Sequence, residues 1–137
     1  MSILVTDTGF APAPAGPTPV ALADLAGAPL AKAVDLVPTD RAIALAGDLH
    51  RLTLIRIAFP AFSDGRGFTL ARDLRRMGYA GTLRAHGHLL ADQYAMARRS
   101  GFDEVEISPD LAARQPEDQW RFRADWQAHD HRSRLTA

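Results

Sequence analysis

The chain has 137 residues, 47% of them hydrophobic and 23% charged, which are ordinary values for one globular domain. It contains no cysteine, which excludes disulfides, thiol nucleophiles and cysteine-held zinc or iron–sulfur sites. The formal net charge is zero, which argues against nucleic-acid binding, and no apolar run approaches the ~20 residues of a membrane span. No basic stretch followed by an apolar core opens the chain, so we predict no signal peptide and expect a cytoplasmic protein.

The charges are segregated along the chain although they sum to zero. Residues 66–99 carry seven arginines against two aspartates, a local charge of +5, whereas residues 100–118 carry one arginine against six acids, a local charge of −5. Arginine presents a planar fork of donors that suits carboxylates and oxyanions. The arginine-rich segment is therefore a candidate for binding an anion or an acidic partner.

The N-terminal quarter predicts little regular structure. The apolar run from Ile3 to Val5 indicates a short strand. The segment from Phe10 to Pro19, FAPAPAGPTP, is typical of an extended linker. Residues 22–33 fit either a short helix or a turn. We therefore divide the chain into an N-terminal strand with a Pro/Ala-rich linker, residues 1–33, and a single α/β domain, residues 34–137.

Strands and helices alternate from residue 34 onward. The apolar pattern predicts strands at 34–37, 52–59, 82–85 and 104–107, and helices at 41–49, 67–77 and 89–99. Thr39 or Asp40 is expected to cap the first helix, and Gly78 and Gly101 are expected to end the other two. A C-terminal helix is predicted over residues 116–130.

This order of elements predicts the fold class. Repeated β-α units with right-handed crossovers form a small parallel sheet, either an open α/β sheet or half of a β/α barrel, here with a C-terminal helix. Half a barrel would leave strand edges that need a partner, so that alternative favours a homodimer.

The loop after the second predicted strand, SDGRG, is a candidate anion-binding site. Gly65 and Gly67 free the backbone, amides at a helix start attract anions, and Arg66 would add a bidentate contact. Asp64 is a candidate for proton transfer. The structural alternative is that Ser63 or Asp64 caps the helix and Arg66 pairs with an acid.

The segment after the third predicted strand contains two histidines around Gly87. His86 is a candidate general acid or base, with Asp40 or Asp64 nearby. His88 followed by Asp92 one helical turn later resembles part of a metal site, but no third or fourth ligand follows, so we predict no metal site. The structural alternative has His88 cap the helix and His86 bond a neighbouring backbone group. Asp92 and Gln93 would then stabilise the helix start or an interface.

The C-terminal helix carries the segment QWRFRADW. It places Trp120, Phe122 and Trp126 among Arg121 and Arg123, a composition typical of interfaces. The alternative is that these aromatic side chains pack against the protein's own sheet.

Three segments together resemble the bacterial family called domain of unknown function 934. They are FPAFSDGRGFTLARDLRRMGY, GTLRAHGHLLADQY and RRSGFDEVEI, and the resemblance covers roughly residues 34–110. His88 stands where the family pattern often has Asp, which weakens any role that demands a histidine there. The resemblance implies a gene beside those for assimilatory sulfite reductase and the reductase of activated sulfate, and some members are labelled probable oxidoreductases. The family gives no established role to the matching residues, which are Asp64, Gly65, Arg66, Arg72, Arg84, Gly87, Asp92 and Gln93.

These observations support two functional hypotheses. In the first, the protein is an accessory of assimilatory sulfite reduction that binds the sulfite reductase or its electron donor through the arginine-rich segment and the aromatic tail. In the second, it is a small oxidoreductase-like enzyme or a sensor acting on an oxyanion or a phosphorylated metabolite. Arg66 and Arg84 would then hold the anion, and His86 or Asp64 would transfer a proton.

A third interpretation is structural. Asp64 or Asp92 would pair with Arg66, Arg72 or Arg84 and fix the loops between strands and helices. An electron-transfer role would require a bound flavin or a similar cofactor, and no cofactor fingerprint is visible, so the cofactor stays unassigned.

Overall fold

The computed structural model describes residues 2–126. Seven strands form one open sheet in the order β2-β1-β7-β6-β5-β4-β3. The strands are β1 (Ile3–Thr6), β2 (Gly9–Pro12), β3 (Val20–Ala21), β4 (Ala33–Leu36), β5 (Leu54–Phe59), β6 (Thr82–Gly87) and β7 (Glu104–Ile107). The helices are α1 (Arg66–Arg76), α2 (Tyr94–Ser100), α3 (Pro109–Arg114) and α4 (Glu117–Phe122). Short 3-10 helices occupy Leu22–Gly27, Ala42–Leu45 and Ala91–Gln93.

The predicted α/β class is confirmed, and of the two alternatives the structure shows an open sheet. Strands β3 to β7 are parallel and lie side by side in chain order. The N-terminal strand β1 pairs antiparallel with β7 of the same sheet and forms a hairpin with β2. No helix within residues 2–126 is long and apolar enough to cross a membrane.

One face of the sheet carries the helices and the core. Because successive crossovers are right-handed and all advance in the same direction, they place their helices on the same face. On that face Leu36, Ile57, Leu83 and Val105 are buried, and α1 packs Leu74 against them. We call the other side, which bears Asp35, Arg56, Arg84, Glu104 and Glu106, the open face.

A proline-rich strap, residues 13–19, crosses the open face. It joins β2 at one edge of the sheet to β3 at the other, and it borders a cavity of about 500 Å³ above Arg56 and Arg84. If the sheet were flat, the strand spacing and the rise per residue would place the Cα atoms of Pro12 and Val20 about 32 Å apart. The chain between these two residues has eight Cα–Cα steps, which span at most about 29 Å. The sheet must therefore twist and curve around the strap.

Four predicted elements are wrong in extent. The helix expected at 89–99 begins at Tyr94, after the 3-10 turn Ala91–Gln93. The helix expected at 41–49 is only the 3-10 turn Ala42–Leu45, because the Asp40 carboxylate accepts the backbone N–H of Val37 at 2.8 Å and does not cap a helix. The linker expected from Phe10 begins as strand β2, with Pro12 at its end, where a missing N–H is tolerated. The C-terminal helix ends at Phe122 rather than continuing to residue 130, and residues 127–130 lie outside the described part.

Besides β2, strand β3 and helix α3 were not predicted. Strand β3 has only two residues, too few for a pattern. Helix α3 starts with the Ser108 hydroxyl accepting the N–H of Leu111 at 3.2 Å and with Pro109 at its first position. That pair of residues is a helix-start signal that a reading of the sequence could have used.

Candidate functional site

A ladder of ion pairs crosses the open face of the sheet. Arg56 holds Asp35 with both Nε and Nη2, at 2.7 and 2.9 Å, and reaches Glu106 at 3.1 Å. Arg84 holds Glu104 at 2.6 Å and Glu106 at 3.0 Å, and only 11% of its side chain is exposed. Both guanidinium groups are therefore already paired with carboxylates of the protein itself.

Glu106 is the central acid of this ladder and is 4% exposed. Burial tends to raise the pKa of its carboxyl, but the hydrogen bond from Ser2 and the charges of His86 and Arg56 outweigh burial and leave the pKa below its ordinary value. Glu106 is therefore a fixed, ionised carboxylate inside the protein.

His86 ends the ladder at the carboxyl edge of the sheet. Its Nε2 lies 3.5 Å from Oε2 of Glu106, and 40% of its side chain is exposed. Burial, together with the charge of Arg56, lowers the pKa of His86 although Glu106 acts in the opposite direction. The imidazole is therefore neutral at neutral pH, with a carboxylate beside one nitrogen.

His86 opens into a cleft of about 400 Å³ beyond the ends of β6 and β7. His88 and Phe62 form part of its wall, and their rings meet edge to face with centroids 5.2 Å apart. The start and end of α3 close the other side with Ser108 and Arg114. Clefts at the carboxyl ends of parallel strands are the usual ligand sites of α/β sheets.

Asp64 and Arg66 pair with each other at the start of α1. Two contacts of 3.0 and 2.8 Å join the Arg66 guanidinium to the Asp64 carboxylate, which also accepts the backbone N–H of Arg66. Arg66 holds the pKa of Asp64 below its usual value. This is the pairing expected in the structural alternative for this loop, although the pair is on the surface and Gly65 is the capping residue.

The glycines of the motif differ in what they do. A Cβ on Gly87, whose φ is +116°, would lie 2.7 Å from the carbonyl oxygen of Phe59. A Cβ on Gly67 would lie 2.5 Å from the Phe59 ring. A Cβ on Gly65 would meet only Phe68, at 3.8 Å. Gly87 and Gly67 therefore let β5, β6 and α1 approach closely.

The neighbouring motif residues Asp92 and Gln93 have separate contacts. Gln93 accepts the N–H of Leu90 and donates to the carbonyl of Phe62, both at 2.9 Å, so it joins the loop after β5 to the loop after β6. Asp92 is 80% exposed and pairs with Arg123 of the C-terminal segment at 3.0 Å. Arg72 is exposed on α1.

The C-terminal aromatic residues divide between the core and the surface. Trp120 is 1% exposed, packs edge to face on Tyr94 and donates its N–H to the carbonyl of Gln115. Phe122 is 73% exposed. The guanidinium of Arg98 lies 5.0 Å from the centre of the Trp126 ring. The tail thus packs one of its three aromatic side chains into the protein and leaves Phe122 on the surface.

A second concave feature, which we call the α1 groove, lies on the helix-bearing side. It has a volume of about 550 Å³ between α1 and the 3-10 turn Ala42–Leu45. Ile43, 65% exposed, Leu70 and Met77 give it an apolar floor. Arg66 and Arg76 stand at its rim, and the Arg76 side chain is 78% exposed.

The predicted site residues thus fall into separate places. Arg66 borders the α1 groove, Arg84 lies on the open face and His86 lines the carboxyl-edge cleft. An anion-binding role for Gly65, Arg66, Gly67 and Arg84 stays a prediction. Among residues 2–126, no three His, Cys, Asp or Glu side chains gather at metal-binding distance.

Several residues of these sites were missed from the sequence. Asp35, Arg56, Glu104 and Glu106 complete the ladder, and Arg114 faces the cleft. A signal for the ladder was present, since Arg56, Arg84 and Glu106 alternate with apolar residues in neighbouring strands. A parallel sheet covered on both faces would have continuous apolar strands instead.

Comparison with known proteins gives one match. The model of a family described as "Bacterial protein of unknown function (DUF934)" matches residues 33–134. No curated protein and no solved structure matches the chain significantly. The matched region contains the ladder, the cleft and the α1 groove.

Proposed function

The chain belongs to the bacterial DUF934 family, and from this premise we propose that it is an accessory protein of assimilatory sulfite reduction that binds the sulfite reductase or its electron donor. The sequence resemblance supplies the pathway, because it implies genes that neighbour those of sulfite reduction. The observation that carries the binding role is the α1 groove, which has an apolar floor and a charged rim in which Arg41, Arg66 and Arg76 outnumber Asp40 and Asp73.

The groove and the adjoining face of α1 fit an acidic protein surface. Arg72 and Arg76 are exposed on this helix, and Ile43 stands out from the facing turn with 65% of its surface exposed. Interfaces combine an apolar centre with charged residues around it, and complementary charge speeds association. The partner is therefore expected to present acidic side chains around an apolar patch.

The alternative of an arginine-held oxyanion fits the geometry less well. Arg84 donates to two carboxylates and Arg66 to one. Using either guanidinium for a ligand would break ion pairs that the chain already makes, which carries a cost for the partly buried Arg84.

The test is affinity purification of the tagged protein from its own cells grown on sulfate as the sole sulfur source. Recovery of the sulfite reductase or its electron donor at a fixed ratio supports the proposal. The variant Arg72→Glu/Arg76→Glu should lose this partner, and Arg121→Glu, a charge reversal at an exposed position of α4, should retain it. A wild-type purification without either protein would contradict the proposal.

A further inference from the structure

We propose that the carboxyl-edge cleft is a binding site for a small monoanion, in which His86 accepts a proton from the ligand, Glu106 positions His86, and Arg114 faces the anionic group. This site is separate from the α1 groove and does not depend on the accessory role. Of the residues singled out from the sequence, the cleft contains His86, Gly87 and His88.

The first support is the carboxylate that lies beside the His86 ring. The Nε2 atom of His86 lies 3.5 Å from Oε2 of Glu106, so the carboxylate stabilises the imidazolium that forms when the ring takes up a proton. Arg56 and Arg84 hold the two oxygens of Glu106 at 3.1 and 3.0 Å, which keeps the carboxylate in this position.

The second support is that His86 is the member of the ladder that lines the carboxyl-edge cleft, whereas Arg56 and Arg84 line the cavity under the strap. The guanidinium groups of Arg56 and Arg84 are directed to their carboxylates, whereas 40% of the His86 side chain is exposed and lines about 400 Å³ of space. The groups that act on its charge are Arg56 and Arg84, which oppose protonation, and Glu106 and Asp35, which favour it.

The third support is the charge on the opposite wall. Arg114 is exposed at the end of α3, and none of the ion pairs among residues 2–126 includes it. Asp110 also lines the cleft, which disfavours a ligand with negative charge along its whole length. A small molecule with one carboxylate or one singly charged oxyanion group fits both residues.

The proton transfer is balanced without a further reactant. An O–H or C–H bond of the bound molecule breaks, its proton joins the unprotonated ring nitrogen of His86, and the electron pair of the bond stays on the molecule. The new imidazolium faces Glu106, and the added negative charge on the ligand faces Arg114. The reverse step returns the proton to the same or another atom of the ligand.

The test is nuclear magnetic resonance of the histidine rings in the full chain at constant pH. Added acetate should move the His86 ring signals to a saturating value, with sulfate binding more weakly. The exposed His50 serves as an internal reference that should not move. Arg114→Gln should abolish the saturable change, and Arg99→Gln, at an exposed position of α2, should preserve it. The proposal would be overturned if acetate left the His86 ring signals unchanged, or if it moved them equally in Arg114→Gln and in the wild type. It would also be overturned if sulfate bound more tightly than acetate.

The positioning role of Glu106 has its own readout. In Glu106→Gln the measured pKa of His86 should fall by about one pH unit or more, since the carboxylate that stabilises the imidazolium is gone. An unchanged pKa in the folded variant would rule out the pair. If Glu106→Gln does not fold, the acetate titration of His86→Asn decides instead. In His86→Asn, added acetate should then leave the signals of the other histidine rings, His88 included, without a saturable change at the concentrations that saturate the wild-type protein.

Discussion

Single buried residues in this protein take part in several ion pairs at once. Glu106 is the clearest case, because one buried carboxylate receives Arg56 and Arg84 and also faces His86. Removing one partner from such a group leaves the others buried without a counter-charge. The residue therefore links the stability of the sheet to the chemistry of the cleft.

This linkage predicts the pH dependence of stability. The pKa of Glu106 is lower in the folded protein than its ordinary 4.5, so its stabilising contribution is complete above 4.5 and disappears as pH falls through the folded pKa. The pKa of His86 is also lowered, so the unfolded chain takes up its proton first, and stability falls as pH drops from 6.5 towards the folded pKa.

Urea denaturation across pH 3–8 separates the two groups. Glu106→Gln should flatten the dependence below pH 4.5, and His86→Asn should flatten it just below pH 6.5. The prediction fails if both variants follow the wild-type curve through these two ranges.

The backbone position of Gly87 predicts how far one added methyl group lowers the free energy of unfolding. Gly87→Ala places a Cβ 2.7 Å from the Phe59 carbonyl oxygen at a φ of +116°, and we expect a loss of about 1–3 kcal/mol in the free energy of unfolding. Gly47→Ala is the matched control, because a Cβ there meets nothing within 4 Å. Equal urea midpoints for the two variants would show that β5 and β6 can separate at little cost.

At the scale of elements, the adjacent motif residues Asp92 and Gln93 have different structural roles. Gln93 ties the loop after β5 to the start of the next helical segment, so Gln93→Ala should cost about 1–3 kcal/mol by leaving the Leu90 N–H and the Phe62 carbonyl without their partner. Asp92→Ala removes an exposed ion pair and should cost less than about 1 kcal/mol. Thermal unfolding of both variants checks the order, and a larger loss for Asp92→Ala would contradict it.

The elements also show what a sequence can predict. The strands at β5, β6 and β7 and the helix α1 were predicted because long apolar patterns and glycine stops mark them. Strand β2 was missed because its proline-rich sequence is typical of a linker, although it pairs with β1 across a two-residue turn. Strand β3 was missed because two residues show no periodicity. The candidate His86 was found from its place at a strand end, whereas its partner Glu106 was missed because only the register between β6 and β7 brings the two together.

At the scale of the whole molecule, the strap sets the curvature of the sheet. Residues 13–19 join the two edges although the N–H of Gly16 donates to the carbonyl of Pro14 at 2.9 Å, a tight turn that shortens the strap further. Prolines at 12, 14, 17 and 19 restrict the rest of its backbone. The segment first interpreted as a linker therefore spans the same sheet that the helices cover from the other side.

The strap predicts an unequal response to changes in its length. Deleting Ala15 and Gly16 shortens its reach to about 22 Å, so either the β1–β2 hairpin or β3 must leave the sheet. We expect a loss of about 2 kcal/mol or more, from exposure of apolar side chains. Inserting Gly-Ser after Gly16 should cost less than about 1 kcal/mol, because loop closure depends weakly on length. Equal urea midpoints for both variants would contradict the tight span.

The accessory role is tested most directly by calorimetric titration of the purified protein into purified sulfite reductase and, separately, into its electron donor. The account predicts saturable binding to one of them, weakened by added salt and by Arg72→Glu/Arg76→Glu and unchanged by Arg121→Glu. Binding that is absent from both titrations, or that is indifferent to salt and to the α1 arginines, would contradict the account.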